Sequence, residues 1–367
     1  MQWPQVKGTL LLSPHNDQQE EKALVHAARL LREGNLVAFP TETVYGLGAS
    51  ALNPVAVAGI FKAKGRPADN PLIVHIAGIE QAYALAREIP PEASLLARYF
   101  WPGPLTMVLP KRQIVPDITT AGLSSVALRV PSHPLALKLI RAADMPIAAP
   151  SANISGSPSP TTAAHVLADL AGRIAAVLDG GPCSVGLEST VISLLSSPPA
   201  LLRPGWVTQE MVERVLKRHI LDLSNLGSSE GSQEPPPSPG MKYRHYAPKA
   251  PLFLVEGEGE PQRRQLLALT EGLAMQGRKL GLLLSEESKN YFSAPVKEIL
   301  GSRNDPATVA RRLFYALRRM DYQKVEVIVA EGFEEKELGK AVMNRLRKAA
   351  ATIIRPDGKG GFSWIRG

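Results

Sequence analysis

The chain has 367 residues, enough for two domains with a core each. With 44% apolar and 21% charged residues, its composition excludes a disordered, collagen-like or fibrous chain. Net charge is +8 and uneven: residues 241–367 hold 23 Lys and Arg against 15 Asp and Glu, whereas residues 1–223 hold 19 against 17. A basic C-terminal third suits anionic partners such as nucleotides or RNA, although solvated helix faces give the same signal. No apolar run reaches the roughly 18 residues of a membrane span, and Met1 to Lys7 lacks the pattern of a secretory leader. The single cysteine, Cys183, rules out an intrachain disulfide and a cysteine-based zinc site. We expect a cytoplasmic protein.

In chain order, residues 18–33 place Ala23, Ala27, Leu30 and Leu31 among charges, an amphipathic helix closed by Gly34. Residues 35–39 read as a buried strand, and Asn53-Pro54 opens a helix reaching Lys64. Strands follow over 71–76, 105–109, 126–130, 175–178 and 190–194, with helices near 92–100, 133–143, 161–172 and 208–219. The pattern predicts a mixed α/β domain around one twisted sheet. Residues 224–240 are mostly Ser, Pro and Gly, with Leu226 as the one apolar side chain, and cannot bury enough surface to fold alone. Beyond them, strands at 252–255, 279–284 and 326–329 alternate with helices near 261–276, 306–320 and 338–350, a βαβ series that predicts a smaller parallel sheet. The division expected is 1–220, a linker over 221–248, and 249–367.

Three segments carry candidate chemistry. Pro40 to Gly48 (PTETVYGLG) brings two threonine hydroxyls, a carboxylate and a phenol out of a strand end. Lys64 and Arg66 lie two apart at a helix exit, and in an extended segment both would point the same way, toward one anion; cationic capping of the helix is the alternative. Pro150 to Ser159 (PSANISGSPS) offers hydroxyls and amides suited to phosphate and ribose, or is simply a polar loop. Arg129 lies in the apolar run VALRVP, where a buried guanidinium needs a partner and so is expected to face a cleft holding a carboxylate or phosphate. His75 ends a strand, where histidine is usually structural. No GxxxxGK[ST], strand-coupled GxGxxG, HExxH, GxSxG or Cys-His pair is present. From the residues alone, the chain carries an anion-binding cleft rich in cations and hydroxyls.

The segments PTETVYGLG, FKAKGRPADNPLIVHI, APSANISGSPSPT, GLESTV and LLRPG occur in one order. Together they resemble the YrdC-like domain of threonylcarbamoyl-AMP synthases, and SPGMKYRHYAP resembles the two-domain members with a Rossmann-like C-terminal domain. The resemblance implies a YrdC-like mixed twisted sheet with helices, plus a smaller parallel βαβ domain. It implies synthesis of L-threonylcarbamoyl-AMP from L-threonine, bicarbonate and ATP, with release of pyrophosphate, for N6-threonylcarbamoyladenosine in tRNA. ATP enters as substrate with Mg²⁺ bridging its phosphates, and no tightly bound metal is implied. The signature tetrad falls on Lys64, Arg66, Ser151 and Asn153. ATP or adenylate contacts fall on Lys64, Arg66, Asn70, Ser125, Ser151, Ser159, Arg203 and Tyr243, with His245 and Tyr246 as further candidates to cover the nucleotide. Threonine contacts fall on Thr43, His75, Arg129, Ala149 and Ser189. A downstream threonylcarbamoyl transferase complex and a weak tRNA contact are the implied partners, and no membrane is. The readings set against it are an RNA-binding module without adenylation activity, disfavoured by an aromatic content of only 5%, and carbamoyl-adenylate chemistry of the hydrogenase-maturation kind.

Overall fold

The computed structural model describes residues 3–224, 236, 245–357 and 361–366. The chain divides into two units: residues 1–155, 159–184 and 188–243 in the first, and residues 156–158, 185–187 and 244–367 in the second. Tyr243 lies outside the described residues.

The first unit runs β1 (Gln5–Val6), β2 (Thr9–Leu12), α1 (Asp17–Arg32), β3 (Val37–Phe39), β4 (Gly46–Ser50), α2 (Pro54–Lys64), β5 (Ile73–His75), α3 (Ile79–Leu85), α4 (Pro91–Phe100), β6 (Leu105–Pro110) and α5 (Asp117–Thr120). It continues with β7 (Ser125–Arg129), α6 (Pro134–Ala143), β8 (Ile147–Ala148), α7 (Ala163–Leu170), β9 (Ala176–Leu178), β10 (Thr190–Ser193), β11 (Ala200–Arg203), α8 (Gln209–Leu216) and β12 (Leu221–Asp222). Among the described residues these strands form one mixed sheet in the order β1-β2-β9-β3-β4-β8-β5-β7-β6-β10-β11-β12. The sheet is covered on both faces, so β3 reads as a continuous apolar run: Val37 and Phe39 join the core of α1 and α6, while Ala38 joins the core on the opposite face with Val57, Ile60 and Leu96. Helix α1 starts where the Asn16 side chain accepts the Gln19 amide, and buries Ala23, Leu24, Ala27, Ala28 and Leu31. Helix α2 is capped by Asn53 and stopped by Gly65 at φ +61°.

Strand β4 was not apparent in the sequence, where its GLGAS reads as a loop. Its glycines answer to packing: a Cβ on Gly48 would stand 2.9 Å from both Ile147 Cγ2 and Phe39 Cε1. Strand β12 pairs in parallel with β11, so the first sheet takes in Leu221–Asp222, at the start of the segment expected as linker.

The second unit runs β13 (Leu252–Val255), α9 (Gly259–Met275), β14 (Leu280–Ser285), β15 (Val296–Gly301), α10 (Pro306–Tyr322), β16 (Val327–Glu331), α11 (Leu338–Ala349), β17 (Thr352–Pro356) and β18 (Phe362–Arg366). The sheet order is β15-β14-β16-β13-β17-β18; every neighbouring pair is parallel except β17–β18, which is antiparallel. Leu282, Leu284, Val327 and Val329 lie in its core.

Candidate active site

In the first unit, strand ends and loops gather three polar clusters. The first begins in the turn between β3 and β4. Thr41 Oγ1 donates to the Val44 carbonyl (2.6 Å) and accepts from the Thr43 and Val44 amides (3.2 Å each), folding residues 41–44 into a tight turn. That turn aims Glu42 and Thr43 at Arg129, which ends β7. Arg129 Nη2 donates to Glu42 Oε1 (2.6 Å), Nη1 to Thr43 Oγ1 (2.9 Å) and Nε to the Gly103 carbonyl (3.3 Å); Glu42 Oε2 accepts from the Ser132 amide (3.0 Å). Both charged side chains are buried, 4% and 7% exposed. The carboxylate expected beside the buried arginine is therefore the chain's own Glu42, which the sequence sets in the PTETVYGLG segment without pairing it to Arg129. The signal was available: a carboxylate in the same motif as Thr43, and a buried cation in need of a partner.

His75 ends β5, directly across the parallel ladder from Arg129. Its ring packs edge-on against Phe39, with centroids 6.0 Å apart. Burial, and secondarily the Arg129 charge, push its pKa down to about 3, so the imidazole is neutral near pH 7. His75 Nδ1 makes no hydrogen bond among the described residues. Ala149 lies alongside, its amide bonded to the Ile73 carbonyl (2.9 Å).

The second cluster joins α2 to the 151–155 loop. Lys64 Nζ donates to the carbonyls of Ser151 and Asn153, each at 2.6 Å, and the Lys64 carbonyl accepts the Ser155 amide. Arg66 Nη2 turns instead to the carbonyls of Asn70 and Pro71, each at 3.2 Å. The two cations thus take different backbone partners, and Gly65 between them is left-handed and not extended. Asn70 is buried, and its Oδ1 makes no hydrogen bond among the described residues. The loop is laid against the first cluster by backbone bonds: the Leu47 amide to the Pro150 carbonyl, the Ala152 amide to the Tyr45 carbonyl, and the Tyr45 amide to the Pro160 carbonyl.

The third cluster lies beside β10 and β11. Ser159 Oγ donates to Glu188 Oε1 (2.5 Å). Arg203 clasps Ser189 through Nε to its carbonyl (3.0 Å) and Nη2 to its hydroxyl (3.1 Å), and Thr106 Oγ1 lies 2.8 Å from the same hydroxyl. Gly205 permits the approach: a Cβ there would stand 2.4 Å from the Thr190 nitrogen. Glu188 is a second carboxylate that sequence reasoning missed.

Ser125 sits at the opposite end of β7 from Arg129, about 13 Å away at the rise of an extended strand. Tyr246 is buried in the second unit, its ring 5.1 Å from that of Phe314 and 5.9 Å from the Arg345 guanidinium. Cys183 is buried, and burial first, then Glu42, push its thiol up to about 12, so it offers no thiolate. No group of three or more His, Cys, Asp or Glu placed to hold a metal ion occurs among the described residues. Among the described residues, no helix is long and apolar enough to cross a membrane.

Clustered cations, neutral hydroxyls and a neutral imidazole can bind and align anions but supply no nucleophile. Similarity to known proteins places the chain in a family. The family described as "Telomere recombination" matches residues 29–205, and that described as "Threonylcarbamoyl-AMP synthase, C-terminal domain" matches residues 207–351. The threonylcarbamoyl-AMP synthase of Pyrococcus abyssi is 52% identical over 335 residues, covering 91% of this chain and 96% of its own. That of Bacillus subtilis is 51% identical over 334 residues, covering 90% and 94%. The crystal structure of Pyrococcus abyssi Sua5 complexed with L-threonine matches with a TM-score of 0.87 at 50% identity, over 94% of this chain and 98% of that one. By sequence over nearly its whole length, and by fold, this chain belongs to the threonylcarbamoyl-AMP synthase family.

Proposed function

We infer that this chain is an enzyme that joins L-threonine, bicarbonate and ATP into L-threonylcarbamoyl-AMP and releases pyrophosphate, supplying the group carried by N6-threonylcarbamoyladenosine in tRNA. The observation that carries this reading is the buried Arg129–Glu42–Thr43 cluster beside neutral His75, in a chain 50% identical to a protein solved with L-threonine. A guanidinium has five N–H donors, and three of Arg129's are engaged. The others suit the threonine carboxylate, while Thr43 and Ser189 offer partners to its hydroxyl. Ala149 is assigned to the same threonine site. His75, uncharged, neither competes for that carboxylate nor protonates the carbamate.

The threonine nitrogen attacks carbon dioxide drawn from bicarbonate; a C–N bond forms and the nitrogen loses its proton. A carbamate oxygen then attacks the α-phosphorus of ATP, the bond to the bridging oxygen breaks, and pyrophosphate leaves with the electron pair. No side-chain nucleophile is required, so the task is alignment and charge neutralisation. Arg66, Asn70, Ser125, Ser151, Ser159 and Arg203 take the nucleotide. Lys64, with Ser151 and Asn153, holds the loop that presents it. Tyr243, outside the described residues, is assigned to cover the adenylate. Glu42 and Glu188 are engaged by Arg129 and Ser159, so a Mg²⁺ would be held by the substrate's own phosphates and would supply charge neutralisation there. The downstream threonylcarbamoyl transferase complex consumes the product, and the chain makes a weak tRNA contact. The chain works in the cytoplasm.

Threonine-dependent release of pyrophosphate from ATP tests the reading. Salt-dependent RNA binding without such turnover would overturn it in favour of an RNA-binding module.

A further inference from the structure

The second unit contains a cavity of about 510 Å³ at the carboxyl ends of its parallel strands. Its position follows from topology. Strand β13 connects through α9 to β14 on one side, and its neighbour β16 connects through α11 to β17 on the other, so the chain leaves adjacent strands in opposite directions and opens a crevice between them. None of the described residues assigned to synthesis above is among those that line this cavity.

The cavity floor is a buried polar network. Arg303 Nη2 donates to Gln262 Oε1 (2.8 Å), Glu331 Oε1 (2.5 Å) and the Gly332 carbonyl (3.0 Å). Glu331 also accepts from Ser288 Oγ (2.6 Å) and the Ser285 amide (2.8 Å). Gln262 and Glu331 are each 2% exposed, so both side chains have been drawn out of water. A buried ion pair adds little net stability over apolar side chains of similar volume, and a core built for stability would fill such a space. Arg303 itself is 25% exposed and lines the cavity with its guanidinium 5.4 Å from the Phe333 ring. Its Nη2 carries all three side-chain bonds, and Nε and Nη1 make none among the described residues.

The charge of the lining decides the ligand class. Glu258, Glu287, Glu331, Glu334 and Glu337 face only Arg263, Arg303 and Lys336. Burial opposes ionisation of Glu287, but the Ser302 hydroxyl and the Arg303 amide outweigh it and hold its carboxyl below the usual range. A phosphate dianion would meet this excess of carboxylates. A carboxylate that brings its own ammonium would not.

We propose that the cavity binds a zwitterionic α-amino acid, with its carboxylate on Nε and Nη1 of Arg303, its ammonium among the surrounding glutamates, and its side chain against Phe333, Val309 and Val342. The site is separate from the threonine site of the first unit and does not depend on the assignments made there. Its volume admits any common side chain together with bridging water.

Calorimetric titration of the full chain tests this, with L-leucine, L-methionine, L-phenylalanine, L-lysine and L-glutamate as probes and AMP and inorganic phosphate as comparators. At least one amino acid should bind saturably at one per chain, and its N-acetyl derivative should not. Arg303→Lys keeps the charge but loses the fork, and should weaken binding at least about tenfold while leaving threonine-dependent pyrophosphate release intact. Glu287→Gln, at the exposed rim, should weaken binding several-fold and serves if Arg303 variants fold poorly. Binding by none of the probes, binding indifferent to both substitutions, or binding of AMP or phosphate that Arg303→Lys abolishes would each overturn the proposal.

Discussion

Glu42→Gln is the most direct perturbation of the buried cluster. Glu42 and Arg129 are 2.6 Å apart, and both are nearly sealed from water. At an effective dielectric of about 20, their attraction is about 6 kcal/mol, of which desolvation cancels a large part. Glutamine keeps the shape and one acceptor but leaves the guanidinium buried with its charge uncompensated. The expected cost is about 3–5 kcal/mol. For a domain of this size, roughly 2–4 °C of melting temperature is lost per kcal/mol, so the first unit should melt about 6–20 °C lower. Thermal unfolding of the full chain, followed by circular dichroism, reads this directly. Threonine should raise the melting temperature of the variant more than that of the wild type, because its carboxylate restores the missing charge. Glu42→Leu combined with Arg129→Met should cost less than Glu42→Gln alone, since no charge is left stranded. A single variant within about 1 kcal/mol of wild type, or a double variant worse than Glu42→Gln, would refute the reasoning.

Arg66→Ala removes the charge-assisted hydrogen bonds assigned to the nucleotide, worth roughly 1.5–3 kcal/mol each, so pyrophosphate release should fall at least about tenfold; wild-type turnover would sink the assignment. Because the folded-state pKa of His75 lies near 3 and the unfolded value near 6.5, the unfolded chain binds the extra proton between those values. The His75 contribution is therefore fully present above pH 6.5 and falls by about 1.4 kcal/mol per pH unit below it, or about 2 kcal/mol by pH 5; a His75→Gln variant should lose this part of the acid sensitivity, and an unchanged pH profile of stability would contradict the burial argument. Gly48→Ala places a Cβ 2.9 Å from Ile147 and Phe39 and should destabilise by about 1–3 kcal/mol in chemical unfolding; a neutral effect would mean that β4 can shift. If Thr43 and Ser189 read the substrate hydroxyl, serine should outperform 2-aminobutyrate in pyrophosphate release, and equal rates with threonine and 2-aminobutyrate would show that the hydroxyl is not read.

Much of the fold is legible locally. Asn53-Pro54 and Gly65 bound α2 because a cap, a fixed φ and a left-handed stop act within a few residues. The βαβ series of the second unit follows from its short apolar runs and intervening amphipathic stretches. Strand β4 did not follow, because its glycines answer to Ile147 and Phe39 and not to any local preference. The same division holds at the site. Residue type and position bring out Lys64, Arg66 and Arg129 as candidate anion partners, and the family resemblance adds Ser151 and Asn153. Whether Lys64 and Arg66 converge is another matter: the structure turns one onto Ser151 and Asn153 and the other onto Asn70 and Pro71. The pairing of Arg129 with Glu42 spans 87 residues, and that of Ser159 with Glu188 spans 29. The sequence by itself determines which residues carry charge and hydroxyl, and where helices can start and stop, since those depend on neighbours in the chain. Only the tertiary structure decides which cation meets which carboxylate, because sheet register sets those distances and burial makes each unpaired charge costly enough to select one arrangement.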